Sequence, residues 1–183
     1  MQSPGVFERP EITLEEIPSR YLQSRDGLVL VSIGKILQSL EGCACPMGLL
    51  SREFLKKLRL NESWIAFVDM EAGVEHFGRG IDDAIDEVIL VVEPSFESVT
   101  VAEKIRDLAA GTDKVVTAVL NKMPSEKVAQ NLEGELKSRG IELVGTIPND
   151  PSVFDACLEG RVLDQGEAFH TAGKLLDNLL GQK

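Results

Sequence analysis

The sequence predicts an α/β fold, with a mostly parallel sheet and helices on both of its faces. Five short apolar runs alternate with segments whose apolar residues keep helical spacing. The runs are continuous and β-branched rather than alternating, which is typical of strands buried on both faces of a parallel sheet. Strands that alternate with helices indicate βαβ units. At this length, we expect a single α/β domain over residues 1–183.

The predicted elements follow from the periodicity of the apolar residues. The predicted strands are 28–33, 64–68, 88–92, 115–120 and 141–147. The predicted helices are 14–21, 49–58, 101–109 after a start at Ser98 or Thr100, 128–136, 152–158 and 167–180. Cys157 lies in one of these helical patterns, and we expect it to pack in the core.

Charge and composition exclude several classes of protein. The 19 Lys and Arg residues against 30 Asp and Glu give a net charge of −11, which repels nucleic-acid backbones. No apolar run approaches the roughly 20 residues of a membrane helix, and the polar residues 1–10 do not form a signal peptide. Three cysteines cannot all pair within the chain, which favours a reducing compartment, the cytoplasm.

Polar residues follow the predicted strands where ligands bind in parallel sheets, at the carboxyl ends. Asp69 ends one run, and a carboxylate there can hold the water shell of a magnesium ion. Asn121 ends another, and its amide offers a donor and an acceptor to a purine edge. The loop 148–150 can pack against the same base. The alternatives are that many parallel strands end in Asp, and that Asn, Pro and Asp favour turns for local reasons.

Cys43 and Cys45 form the sharpest local motif. In an extended segment, residues two apart point to the same side, so both thiolates can face one metal ion. Tetrahedral zinc or thiolate-rich nickel needs about four ligands. A two-fold dimer would supply two cysteines from each partner at its axis. The alternative is a pair of small buried cysteines without a metal.

A phosphate-binding P-loop is not found in the chain. The motif needs Gly-x-x-x-x-Gly-Lys-Ser/Thr. Gly34 and Lys35 are the nearest fragment, but Val29 replaces the first glycine and Ile36 replaces the hydroxyl residue.

Taken together, these residues resemble one family: the CooC-type accessory ATPases of carbon monoxide dehydrogenase, relatives of MinD and the nitrogenase iron protein. The resemblance covers roughly 28–165 in order. Its specific parts are Leu-Glu-Gly-Cys-Ala-Cys-Pro at 40–46 and Val-Asp-Met-Glu-Ala-Gly-Val-Glu-His-Phe-Gly-Arg-Gly at 68–80. Its more general parts lie at 34–35, 92–95, 120–122 and 147–150.

The resemblance implies a homodimer that binds ATP or ADP with magnesium and couples the nucleotide cycle to nickel insertion into carbon monoxide dehydrogenase. It implies that Cys43 and Cys45 bind nickel or zinc between subunits, and that Asp69 is the Walker B carboxylate, with Gly73 closing its switch turn. It also implies adenine contacts from Asn121 and from the loop residues Pro148, Asn149 and Asp150.

The chain departs from the family at its beginning, because the first strand and the P-loop of the family have no counterpart here. We therefore expect a MinD-like fold without that strand, and we do not expect this chain alone to hydrolyse ATP. Two other readings remain open: a non-hydrolytic metal-binding dimerisation module, and a remnant of a MinD-like partition ATPase.

Overall fold

The computed structural model describes residues 9–33, 45–70 and 84–181, with side chains from residue 50 onward in the second range. The chain divides into two compact units, 1–85 and 86–183. The predicted α/β class is confirmed: the second unit contains a three-stranded parallel sheet flanked by helices. The single domain over 1–183 stays a prediction.

The first unit contains a hairpin and one helix. Two 3-10 turns, Leu14–Glu16 and Ser19–Tyr21, precede the antiparallel strands β1 (Leu22–Arg25) and β2 (Leu28–Val31), and helix α1 (Cys45–Lys57) follows. Ile12, Ile17 and Phe54 form its buried core. The prediction of helix 49–58 is confirmed, whereas 14–21 forms two short turns.

Residues 28–31 form a strand, but its place in a parallel sheet was predicted wrongly. Asp26 and Gly27 have φ of 50° and 81°. A left-handed Asp-Gly pair favours a tight hairpin turn, so the strand pairs with its neighbour in sequence, Leu22–Arg25.

Residues 64–68 were also predicted as a strand, and the structure gives 64–70 no regular secondary structure. The side chains in this run are largely exposed, with 67% exposure for Phe67. A strand needs a ladder partner for its backbone groups, and among the described residues 64–68 has none.

The second unit alternates strands with helices. The strands are β3 (Glu87–Val92), β4 (Val115–Met123) and β5 (Glu142–Pro148), parallel and in that spatial order. The helices are α2 (Phe96–Ala109), α3 (Glu126–Ser138), α4 (Pro151–Glu159) and α5 (Glu167–Gly181). All three strands and all four helices predicted for this unit are confirmed.

The core of the second unit is centred on β4. Val119 and Leu120 are successive strand residues, so they point to opposite faces of the sheet, and they are 4% and 0% exposed. Helices therefore cover both faces at this strand. Helix α2 packs against β3, α3 against β4 and β5, and α5 against β5.

Two details of the helices differ from the sequence-based expectations. Helix α2 begins before Ser98, because the Ser95 side chain accepts a hydrogen bond from the Ser98 backbone N–H at 3.1 Å and caps the helix there. Cys157 is exposed, so its predicted core packing is wrong. The buried residue of α4 is its neighbour Ala156, which is 2% exposed.

Candidate functional site

The carboxyl ends of β3, β4 and β5 lie at one edge of the sheet, because the three strands are parallel. Met123 pairs with Pro148, and the Asn149 backbone N–H donates to the Met123 carbonyl at 2.9 Å. These contacts bring the segment that contains Asn121 beside the loop 148–150. The structure thus places together the four residues predicted to contact a base.

The amides of Asn121 and Asn149 are available to a ligand. Asn121 is half-buried and Asn149 is exposed. Among the residues that the structure describes, neither side chain has a hydrogen-bond partner. An amide carries both donors and an acceptor, so each can bind a planar group that offers both.

The strand β4 contains a β-bulge at Asn121 and Lys122. Leu120 pairs with Thr146 and Met123 pairs with Pro148, so two residues of β4 oppose the single residue Ile147. Lys122 has a φ of 57°, in the left-handed region. Left-handed backbone costs a non-glycine residue roughly 1–2 kcal/mol. Bulges near binding sites redirect side chains, which is what this one can do for Asn121.

Lys122 also forms an ion pair across the strand ends. Its Nζ lies 2.6 Å from Oε1 of Glu93, which follows β3. The side chains are 59% and 47% exposed, and exposed pairs contribute about 0.2–1 kcal/mol. The ion pair therefore offsets only part of the free-energy cost of the left-handed backbone. The β4–β5 pairing on either side of the bulge offsets the remainder.

Glu93 is itself fixed by the start of α2. Its backbone N–H donates to Ser98 Oγ at 3.0 Å, and its carbonyl accepts from the Ser95 N–H at 2.7 Å. Glu93 and Lys122 were not among the predicted site residues. Their positions after two predicted strands placed both at the expected edge of the sheet, but lysine has no preference for left-handed backbone and the bulge depends on register with β5, so the sequence indicated no specific role for them.

The Asp150 carboxylate stabilises the fold through two hydrogen bonds. Its Oδ1 accepts the Ser152 backbone N–H and its Oδ2 accepts the Ala168 backbone N–H, both at 2.9 Å. The hydrogen bond from Ala168 is the main cause that lowers the pKa of this carboxyl to about 2. The carboxylate caps α4 and joins it to the start of α5. The predicted contacts of Pro148, Asn149 and Asp150 with adenine stay predictions.

The other predicted site residues belong to the first unit. Asp69 is exposed and follows the irregular run 64–68. Gly73 and Cys43 lie outside the described residues. Cys45 is the first residue of α1, so its backbone is helical rather than extended as predicted; its side chain lies outside the described part.

The described residues contain neither a cluster of metal-binding side chains nor a helix that could span a membrane. In the ranges 9–33, 50–70 and 84–181, no group of three or more His, Cys, Asp or Glu side chains is arranged to hold a metal ion. In the described part of the chain, no helix has the length and apolar character needed to span a bilayer.

Comparison with known proteins gives three informative similarities, and no protein-family model matches the chain. An uncharacterized ATP-binding protein of Methanocaldococcus jannaschii is 38% identical over 154 residues, which cover 84% of this chain and 61% of that protein. A second one from the same organism is 32% identical over 139 residues, covering 75% and 54%. The carbon monoxide dehydrogenase accessory protein CooC of Rhodospirillum rubrum is 31% identical over 142 residues, covering 76% and 53%.

The chain therefore spans between about half and three fifths of the length of these relatives. Two of them are named as ATP-binding and one as an accessory protein of carbon monoxide dehydrogenase. These similarities support a CooC-like ATP-binding family for this chain, in agreement with the resemblance of its motifs.

Proposed function

We propose that this chain supplies the base-binding part of a CooC-like ATP-binding accessory protein, with the adenine held at the carboxyl edge of β4 and β5. The observation that carries the proposal is the unpartnered Asn121 amide beside the loop 148–150, which the Asn149 to Met123 hydrogen bond of 2.9 Å holds in place. Similarity to proteins named ATP-binding supports the same reading.

The amide of Asn121 favours adenine over guanine. Adenine presents an amino donor next to the N7 acceptor, and an Asn side chain satisfies both at once. Guanine presents two acceptors at the same edge, so an Asn amide satisfies only one. Pro148 offers an apolar surface to a face of the ring, and the exposed Asn149 amide lies in the same loop.

For the whole protein, we propose a nucleotide cycle coupled to delivery of nickel to carbon monoxide dehydrogenase, by analogy with the relative of that name. In this proposal, Asp69 holds magnesium and Gly73 lies in the turn that follows. Cys43 and Cys45 bind nickel or zinc across a homodimer. Such ligands require a reducing compartment, the cytoplasm.

The base site can be tested without the phosphates. Adenosine and guanosine are titrated into the full chain, and binding is followed by saturation-transfer NMR. We expect adenosine to bind and guanosine to bind roughly tenfold more weakly or not at all, as expected for loss of one of two paired hydrogen bonds.

The matched variants are Asn121→Ala and Asn131→Ala. Asn131 is an exposed asparagine of α3, away from the strand ends. We expect Asn121→Ala to lose adenosine binding and Asn131→Ala to keep it. Equal affinity for adenosine in the two variants, or equal affinity of the wild-type chain for adenosine and guanosine, would contradict the proposal.

A further inference from the structure

We propose that Lys122 is a positioning residue for the base site: its left-handed backbone creates the bulge that directs the Asn121 amide toward the ligand, and Glu93 secures it. This inference rests on the proposed function of Asn121. It assigns a role to two residues that themselves need not touch the base.

The bulge changes the register between β4 and β5. In a regular strand, side chains alternate between the two faces, and one extra residue changes which face each later side chain occupies. Leu120 pairs with Thr146 and Met123 pairs with Pro148, so β4 has one more residue than β5 between these two pairs. Asn121 lies within this bulge, so the direction of its side chain is set by the bulge rather than by the regular alternation of the strand.

The bulge places Lys122 in an unusual backbone conformation. Lys122 has a φ of 57°, a region in which glycine and asparagine are tolerated and β-branched residues are strongly disfavoured. In the ranges that the structure describes, the only other non-glycine residue with positive φ is Asp26, in the turn of the hairpin. A lysine in this conformation at the edge where ligands bind is an outlier of the kind that marks functional sites.

An ion pair between Lys122 and Glu93 secures the bulge. The Lys122 Nζ and Glu93 Oε1 are 2.6 Å apart, and the Glu93 backbone is held by Ser95 and Ser98 at the start of α2. The ion pair joins the end of β3 to the bulge of β4. On the other side, the hydrogen bond from Asn149 to Met123 joins β4 to β5. Asn121 therefore lies between two contacts that hold the end of β4, one with the end of β3 and one with the end of β5.

The experiment compares substitutions that keep the left-handed backbone with substitutions that disfavour it. Lys122→Gly and Lys122→Asn keep the conformation and remove the ammonium group. Lys122→Val disfavours the conformation strongly, and Lys122→Ala disfavours it more mildly and serves if the valine variant does not fold. Glu93→Gln keeps the acceptor and removes the charge.

Two readouts separate positioning from a merely structural role, both recorded below the melting temperature of each variant. The first is the affinity for adenosine. We expect it to fall roughly tenfold in Lys122→Val or Lys122→Ala, since an Asn–adenine pair is lost. We expect it to change less than about threefold in the variants that keep the backbone conformation, Lys122→Gly, Lys122→Asn and Glu93→Gln. The second is the NMR resonance of the Asn121 side-chain amide without ligand, which we expect to move in the first group only.

Each outcome decides between the two proposals. If the wild-type chain binds adenosine and all folded Lys122 variants bind it equally, the positioning role is wrong while the base site stands. An Asn121 amide resonance that is unchanged in Lys122→Ala and Lys122→Val would also overturn the positioning role. If the wild-type chain binds no adenosine, the proposed function fails, and the assignment of Lys122 to a base site fails with it.

Discussion

The Asp150 carboxylate accepts a hydrogen bond from the backbone N–H of Ala168 at 2.9 Å, although the two residues are 18 positions apart in the chain. The same carboxylate caps α4 through Ser152. One side chain at the end of the loop 148–150, which we propose to contact adenine, therefore organises the starts of two helices. This arrangement makes the stability of the fold at the site sensitive to pH.

The pKa of Asp150 is lowered to about 2, chiefly by the Ala168 hydrogen bond. Because the folded-state pKa lies below that of the unfolded chain, the carboxylate contributes stability that is fully present above about pH 4 and is lost as the pH falls through about 2. We expect Asp150→Asn to melt several degrees below wild type at pH 5, and the difference to narrow toward pH 2. Thermal unfolding followed by circular dichroism between pH 2 and 5 checks this.

Asp155→Asn is the control for this prediction, since Asp155 is an exposed carboxylate of the same helix. Its melting temperature should match that of the wild type at every pH between 2 and 5. A difference in melting temperature between Asp150→Asn and wild type that stays constant from pH 2 to pH 5 would contradict the predicted contribution of the Asp150 carboxylate.

Gly166 permits the close approach on which the Asp150 contact depends. Its φ is +108°, and a Cβ at this position would lie 2.6 Å from Asp150 Oδ2 and would also overlap Ser152 Oγ. We expect Gly166→Ala to lower the free energy of unfolding by about 1–3 kcal/mol, because strain and crowding add. Urea denaturation measures the change.

The matched substitution is Gly134→Ala. Gly134 lies inside α3, where an added Cβ meets open space. Alanine is a better helix former than glycine, so this variant should gain about 0.5–1 kcal/mol. Equal losses in the two variants would mean that the Gly166 contact has no special role.

Gly145 allows α5 to pack closely on β5. A Cβ at Gly145 would overlap the Cδ1 atom of Leu175 on α5. We expect Gly145→Ala to cost about 1–3 kcal/mol by crowding and Leu175→Ala about 2 kcal/mol by loss of packing. The double variant should cost less than the sum by at least about 0.5 kcal/mol, because the new methyl group occupies the space that the leucine leaves. Additive losses in urea denaturation would show that the two positions do not share this space.

The metal proposal is tested with the three cysteines. Zinc or nickel is titrated into the reduced protein, and the stoichiometry and mass are measured by mass spectrometry under native conditions. We expect one ion for two chains, and loss of that ion in Cys43→Ser and in Cys45→Ser, because each removes two of four ligands from the dimer.

Cys157→Ser is the control, since Cys157 is exposed on α4 and has no disulfide partner. It should bind metal as the wild type does. Loss of metal in this variant, or retention in Cys43→Ser, would contradict the assignment of the ligands.

The sequence predicted the strands and helices of residues 86–183 well, because a strand buried on both faces needs a continuous apolar run and each run here is bounded by turn residues. It also placed Asn121 and the loop 148–150 at one edge, since parallel strands share their carboxyl ends. The prediction was wrong for the pairing of residues 28–31 and for the strand at 64–68. Whether an apolar run becomes a strand of a sheet depends on a pairing partner, which is often distant in sequence. The run alone does not identify that partner.

What the sequence by itself determined is therefore the α/β class, the order of elements in the second unit and the chemical types at the edge of its sheet. Only the tertiary structure decided that Asp150 serves two helices, that Cys157 is exposed, and that Lys122 adopts a left-handed bulge beside Glu93. The physical reason is that periodicity reports burial along one element, whereas register, bulges and shared carboxylates arise from contacts between elements far apart in the chain.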